Sequence, residues 1–231
     1  MSPGTEPAAR RGRLITFEGG EGAGKSTQLR RLARRLESEG VKTVATREPG
    51  GSEHAEALRR VLLSGRARFL GPAGEATLFA AARIDHIDAM IEPALASGLW
   101  VVCDRFADST RAYQGADGLD PRLIDALEHV ALNGLAPDLT LVLDAPAELG
   151  LARAARRSGA AADRFEAQSR AFHEKIRAAF LRVAEENPRR CVVIDATLSE
   201  DDVAAAVWRA TRTRLLTSAA QDAHGQDAHG R

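Results

Sequence analysis

Lysine, cysteine and aromatic side chains are scarce in this chain, and no net charge of either sign is left over. The 32 Lys and Arg balance 32 Asp and Glu, so no basic excess marks nucleic acid as the main partner. Basic residues are nearly all arginine, and the only lysines are Lys25, Lys42 and Lys175. A lysine that falls inside a motif therefore carries more weight. The 2 cysteines, Cys103 and Cys191, each lie in an apolar run that reads as a buried strand, which gives neither a disulfide framework nor a metal knuckle. No apolar run is long enough to span a bilayer and the first residues lack a signal-peptide core, so the expected compartment is the cytoplasm. Two further absences bear on chemistry. No Asn-Lys-x-Asp stretch reads guanine, and no Asp-Glu pair ends a strand to activate water; both favour transfer to a substrate over hydrolysis.

What is present organises itself around residues 13–32, RLITFEGGEGAGKSTQLRRL. An apolar strand (Leu14, Ile15, Thr16, Phe17) runs into Gly19-x-x-x-x-Gly24-Lys25-Ser26 and then an amphipathic helix, the context a phosphate-binding loop requires. Gly19, Gly22 and Gly24 permit positive φ and leave room for phosphate oxygens. Backbone N–H groups then turn inward, and the helix beginning near Lys25 aims its positive dipole end at the same point. Lys25 reaches the β and γ phosphates and the Ser26 hydroxyl holds Mg²⁺ in such a loop.

With 231 residues, 44 % of them hydrophobic and 28 % charged, the chain suits one domain with one filled core. Strands are predicted at 13–18, 42–47, 99–104, 138–144 and 190–195, and helices at 25–39, 52–64, 73–96, 120–133, 146–158, 164–186 and 199–216. Repeated strand–helix–strand units predict an α/β fold, a five-stranded parallel sheet flanked by helices on both faces, with ligands beyond the carboxyl ends of the strands. Polar clusters follow four of the strands (Glu18–Ser26, Arg47–Gly51, Asp104–Gln114 and Asp144 onward), and they are expected to converge on one cleft. The domain is expected over 13–217, with a lid at about 150–164. Disordered tails are expected at 1–12 and 218–231, the latter holding a tandem QDAHG repeat with His224 and His229.

Asp104 ends an apolar strand beside the glycine loop, where an acidic residue is a second handle on Mg²⁺. Arg105 follows it, and its planar fork suits bidentate contact with a second phosphate group; a plain surface ion pair is the alternative. Arg153, Arg156 and Arg157 share one helix face, followed by the small residues Ser158–Ala162. Such a flap could close over a transferred phosphoryl group, and a solvated face is the blander reading. Phe79 and Arg83 also share a helix face, where the aromatic could stack on a base or simply fill the core.

These pieces together resemble the thymidylate kinases of the nucleoside monophosphate kinase group, from about Leu14 to Leu215. The most selective elements are EGGEGAGKST at 18–27, TREPGG at 46–51, Phe79-x-x-x-Arg83, Asp104-Arg105-Phe106, and STRAYQ at 109–114. The resemblance implies transfer of the γ-phosphoryl of ATP to dTMP with Mg²⁺. It implies that Gly19, Gly20, Glu21, Gly22, Ala23, Gly24, Lys25, Ser26 and Thr27 hold ATP, and that Ser26 and Asp104 serve the metal. Arg105 would bind the acceptor phosphate, with Arg47, Glu48 and Pro49 lining the same pocket. Phe79 would stack on thymine, Arg83 would hydrogen-bond its edge, Ser109 and Thr110 would contact it, and Gln114 would lie close by. Tyr113 would crowd the place of a ribose 2′-hydroxyl, and Glu21 would face the 3′-hydroxyl or a metal-bound water. The loop itself carries no arginine, so catalytic arginines are expected from the flap: Arg153, with Arg156 or Arg157 assisting. The family usually forms homodimers. Two other readings stay open on the residues alone, a kinase of the same architecture acting on another nucleotide or deoxynucleoside, and a non-catalytic ATP-binding switch.

Overall fold

The computed structural model describes residues 11–158 and 168–217, without the side chains of Arg157 and Ser158. All five predicted strands form: β1 Leu14–Glu18, β2 Thr43–Arg47, β3 Trp100–Asp104, β4 Leu139–Asp144 and β5 Cys191–Asp195. They pair in parallel in the order β2-β3-β1-β4-β5. The three central strands are almost wholly buried, which is why they read as unbroken apolar runs, whereas the edge strands β2 and β5 keep exposed positions. The chain leaves β1 toward one edge of the sheet and β4 toward the other. The carboxyl ends of β1 and β4 therefore flank the topological switch point, where such sheets bind ligands.

Alternation along β1 divides the core. Ile15 and Phe17 face one side with Leu29, Leu32 and Leu36 of α1 (Lys25–Ser38) and with Val203 and Val207 near the C-terminus. This buried stripe is the apolar face of the amphipathic helix expected after the glycine loop, and burial of each leucine contributes about 1.5–3 kcal/mol. Leu14 faces the other side with Val101, Cys103 and Phe106. Thr16 and Glu18 share that second side, and the buried Thr16 hydroxyl is satisfied by Thr140 at 2.9 Å.

The remaining helices are α2 Glu53–Leu63, α3 Gly71–His86, α4 Glu92–Ala96, α5 Ala107–Ala116, α6 Pro121–Leu132, α7 Ala147–Ser158, α8 Arg170–Glu186 and α9 Glu200–Thr211. The single helix expected over 73–96 is α3 and α4 joined by a π-helical turn, Ile87–Ile91. Pro93 explains the interruption, because it lacks an N–H and its ring crowds the carbonyl four residues back. Helix α8 starts at Arg170, with the Ser169 side chain accepting from the Phe172 N–H, rather than at 164. Helix α5 was not predicted at all. At the N-terminal boundary, Arg11 pairs with Glu92 and the Gly12 N–H donates to Leu95 O, so these two residues pack on the domain. The expected tails at 1–10 and 218–231 and the lid residues 159–164 lie outside the described residues.

Candidate active site

The glycine loop has the geometry its spacing predicts. Gly19, Gly22 and Gly24 take φ of 132°, 65° and 94°, and α1 begins at Lys25 directly behind the last of them. Lys25 folds back over the loop, its Nζ donating to the carbonyls of Gly19 (3.0 Å) and Gly20 (2.7 Å). Burial, with Arg105 nearby, pushes the Lys25 amine down to about 8, although Glu21, Asp104 and Glu18 oppose the shift. The Ser26 hydroxyl hydrogen-bonds the Asp104 carboxylate. One approach is very close. A Cβ on Gly22 would lie 1.9 Å from the Gly150 carbonyl oxygen, and a Cβ on Gly150 would lie 2.2 Å from that of Glu21. The loop thus presses backbone to backbone on the first turn of α7.

Opposite the loop stands Arg105, held in an unusual backbone conformation at φ 70°. Its N–H donates to Phe17 O at 2.9 Å, and the next N–H, of Phe106, donates to Glu18 Oε1 at 2.7 Å. Glu18 also accepts from the Ser109 hydroxyl at 2.6 Å and from the Ser109 N–H at 3.3 Å. This carboxylate therefore caps α5, whose own N-terminal residue Phe106 offers no side-chain acceptor. Burial and the neighbouring Asp108 push Glu18 up to about 8, against the pull of Ser109, Arg105 and the Phe106 N–H. The Arg105 guanidinium donates to Glu21 (2.5 Å), the Tyr113 hydroxyl (2.9 Å), Ser109 Oγ and Gly19 O (3.3 Å each). Tyr113 in turn donates to Glu21 at 2.9 Å. Burial alone would raise Glu21, but Arg105 and Lys25 outweigh it and hold the carboxyl at about 2.

The third wall joins the end of β2 to α3. Glu48, which precedes Pro49 through a cis peptide, accepts from Arg83 Nε at 2.8 Å and pairs with its terminal nitrogen at 2.7 Å. Arg83 also donates to Thr110 Oγ1 at 3.1 Å and lies over the Phe106 ring. Beneath Glu48, His86 is fully buried. Arg47 is more than half exposed and pairs with Glu56 at 2.9 Å, while Arg59 of α2 donates to Pro49 O at 2.7 Å.

These walls enclose a cleft of about 430 Å³ lined by Glu21, Gly22, Gly24, Lys25, Ser26 and Thr27, by Arg47, Glu48 and Pro49, by Phe79 and Arg83, and by Asp104, Arg105, Ser109, Thr110, Tyr113 and Gln114. Three of the four polar clusters converge as expected. The fourth does not, because Asp144 is held by Arg177 at 2.6 and 2.9 Å and does not border the cleft. The flap arginines are also elsewhere. Arg153 Nη1 donates to Ala196 O at 2.8 Å and Arg156 points into solvent, so neither lines the cleft; the Arg157 side chain lies outside the described residues.

Sequence reasoning passed over Arg30, Arg59 and Leu63, which also line the cleft, and His86, which holds one of its walls; Glu18 and Phe106 stood in the quoted motifs without a role of their own. A signal for Arg59 existed. It falls in register with Ala55, Leu62 and Leu63, on the inward stripe of α2 where a charge is out of place. Ser26 and Asp104 supply a hydroxyl and a carboxylate side by side, hard oxygen donors that suit Mg²⁺ completed by phosphate and water. Among the described residues no cluster of three or more His, Cys, Asp or Glu forms an all-protein cage.

Comparison with known proteins agrees with this geometry. The sequence profile described as thymidylate kinase matches residues 17–207. A thymidylate kinase of Bradyrhizobium sp. strain BTAi1 is 57 % identical over 212 residues, covering 91 % of this chain and 94 % of the relative. One from Nitrobacter winogradskyi is 55 % identical over 212 residues, covering 91 % and 92 %. Among solved structures, a thymidylate kinase of Ehrlichia chaffeensis superposes with a TM-score of 0.69 at 34 % identity, covering 87 % of this chain and 99 % of that one.

Proposed function

The chain belongs to the thymidylate kinase family, and from that membership we propose that it transfers the γ-phosphoryl group of ATP to dTMP, giving dTDP and ADP. The observation that carries this reading is Arg105, a cation fixed by four partners between the glycine loop and α5, at the junction of a donor site and an acceptor site. In this reading Gly19–Thr27 wrap the ATP phosphates, and Lys25 exchanges the Gly19 and Gly20 carbonyls for β- and γ-phosphate oxygens. Arg105 takes the acceptor phosphate, supported by Arg47. Phe79 stacks on the base, while Arg83, Ser109, Thr110 and Gln114 read its edge. Tyr113 and Glu21 sit against the sugar. Ser26 and Asp104 would hold Mg²⁺, whose chemistry is to neutralise charge on the donor phosphates.

The transferred group needs further positive charge as it leaves ADP. We assign that task to Arg153, with Arg156 or Arg157 assisting, since Gly150 of the same helix already touches the loop backbone. Arg153 must then trade the Ala196 carbonyl for a phosphoryl oxygen. A homodimer in the cytoplasm completes the proposal. Val61, Ile84, Leu123 and Val130 are exposed on α2, α3 and α6, helices that pack on one another, and a second copy would cover them. No helix among the described residues is long and apolar enough to cross a membrane.

The test is ADP formation from ATP and Mg²⁺ with dTMP, dUMP, dCMP, dGMP and AMP offered singly. Strong preference for dTMP is the expected result. Preference for another monophosphate transfers the assignment to a sister kinase, and ATP binding without turnover on any of them makes the protein a switch.

A further inference from the structure

We infer that His86 is a positioning residue for the acceptor pocket, setting the orientation of Arg83 through the Glu48 carboxylate. The imidazole has no exposed surface and does not itself line the cleft; the one lining residue it hydrogen-bonds among the described residues is Glu48. Its Nδ1 lies 3.2 Å from Glu48 Oε1 and its Nε2 lies 2.8 Å from Thr46 Oγ1. Glu48, paired with Arg83, offers only acceptors, so Nδ1 donates its hydrogen to the carboxylate. Nε2 then accepts from the Thr46 hydroxyl, which fixes the tautomer and the ring plane together.

The consequence runs outward through Glu48. Oε2 receives both Arg83 contacts and Oε1 receives the histidine, so the carboxylate is gripped from two sides. A carboxylate held only by Arg83 could rotate about its last bond and carry the guanidinium with it. Held by His86, it leaves Arg83 one orientation, the one that also reaches Thr110. The ring itself has no latitude. A Cβ on Gly51 would fall 2.3 Å from His86 Nε2 and 2.5 Å from Thr46 Oγ1, so the glycine backbone closes the side away from α3. The line Thr46–His86–Glu48–Arg83–Thr110 thus ties β2, α3 and α5 into one acceptor wall, whose hydrogen bonds among the described residues do not include Lys25 or the glycine loop.

This inference rests on the reading that Arg83 faces the acceptor base. It is tested by steady-state kinetics on the full chain with His86→Asn, His86→Gln, His86→Ala and Arg83→Ala. Asparagine places an N–H donor where Nδ1 stands, and glutamine places one where Nε2 stands. His86→Asn should keep KM for dTMP within about threefold of the parent, whereas His86→Gln and His86→Ala should raise it by about tenfold through loss of a charge-assisted bond, with KM for ATP unmoved. Equal behaviour of the asparagine and glutamine variants, or an equal rise in KM for ATP, would reduce His86 to packing. Should His86→Ala not fold, the asparagine and glutamine pair still decides. An Arg83→Ala variant with unchanged KM for dTMP would instead overturn the acceptor-pocket reading itself. Silent His86 variants beside a damaged Arg83→Ala would sink this inference alone.

Discussion

The acceptor wall and the α7 helix each bring arginines to the same proposed reaction, and they are built in opposite ways. Arg83 and Arg105 have side chains only 4 % and 16 % exposed, and each is held by several named partners. Among the described residues Arg153 reaches one backbone carbonyl, and Arg156 is exposed. A buried guanidinium cannot swing away without leaving a carboxylate unpaired, so the chain itself fixes the geometry of this wall. Arg156 is exposed and Arg153 is half-buried with no carboxylate partner among the described residues, so both are redirected at little cost and suit a group that must approach late in the proposed reaction. In the proposed reaction one side of the site would serve as a template and the other as a moving part.

That contrast can be broken in several places. Arg105→Ala should be the most damaging change, lowering kcat/KM for dTMP by roughly a thousandfold by analogy with loss of a preorganised phosphate clamp. A loss no larger than that of Arg156→Ala would erase the distinction. Next comes the carboxylate that Arg105 restrains. Glu21 titrates at about 2 in the folded chain against an ordinary 4.5, so its ionised form contributes stability above pH 4.5 that disappears as pH falls toward 2. Urea unfolding of Glu21→Gln should therefore be less steep in pH across that window, by on the order of 3 kcal/mol in total. Parallel curves for parent and variant would show that Arg105 does not restrain Glu21. On the moving side, Arg153→Ala should depress kcat by about a hundredfold while both KM values stay near those of the parent. Normal turnover would take α7 out of the chemistry. The smallest effect is expected of Tyr113→Phe, which removes hydroxyl contacts to Arg105 and Glu21 and should relax discrimination against ribonucleotides by about tenfold or less. Unchanged discrimination would detach Tyr113 from the sugar.

The sheet and most helices were legible because their burial follows a simple period. Leu29, Leu32 and Leu36 announce α1, and the apolar runs of β1, β3 and β4 announce a parallel sheet covered on both faces. Helix α5 was illegible for the converse reason. Its buried positions include Asp108, Thr110, Tyr113 and Gln114, so no apolar stripe marks it, and its cap comes from Glu18, 88 residues earlier in the chain. Arg190 closes the same polar knot on Asp108 at 2.6 and 2.8 Å. The glycine loop, Asp104 and Arg105 were legible as cleft residues because each stands at a strand end where such sheets bind ligands. Glu18 and His86 were not, since a buried acid or histidine in a sequence looks no different from an exposed one until its partners are in place. The Asp144 cluster misled in the other direction, because Arg177 on α8 meets a charge that position alone assigned to the cleft.

The contact between Gly22 and Gly150 carries a mechanical consequence. With no side chain on either residue, two peptide planes bear directly on each other, and nothing compressible lies between them. The phosphate loop and the root of the arginine helix are therefore one rigid joint. On the proposed function, a shift of the loop on gripping a nucleotide would be passed to α7, and a tilt of α7 back to the loop. The helix that carries Arg153 is in this sense geared to the glycine loop, and a single methyl group at Gly150 would force the gears apart.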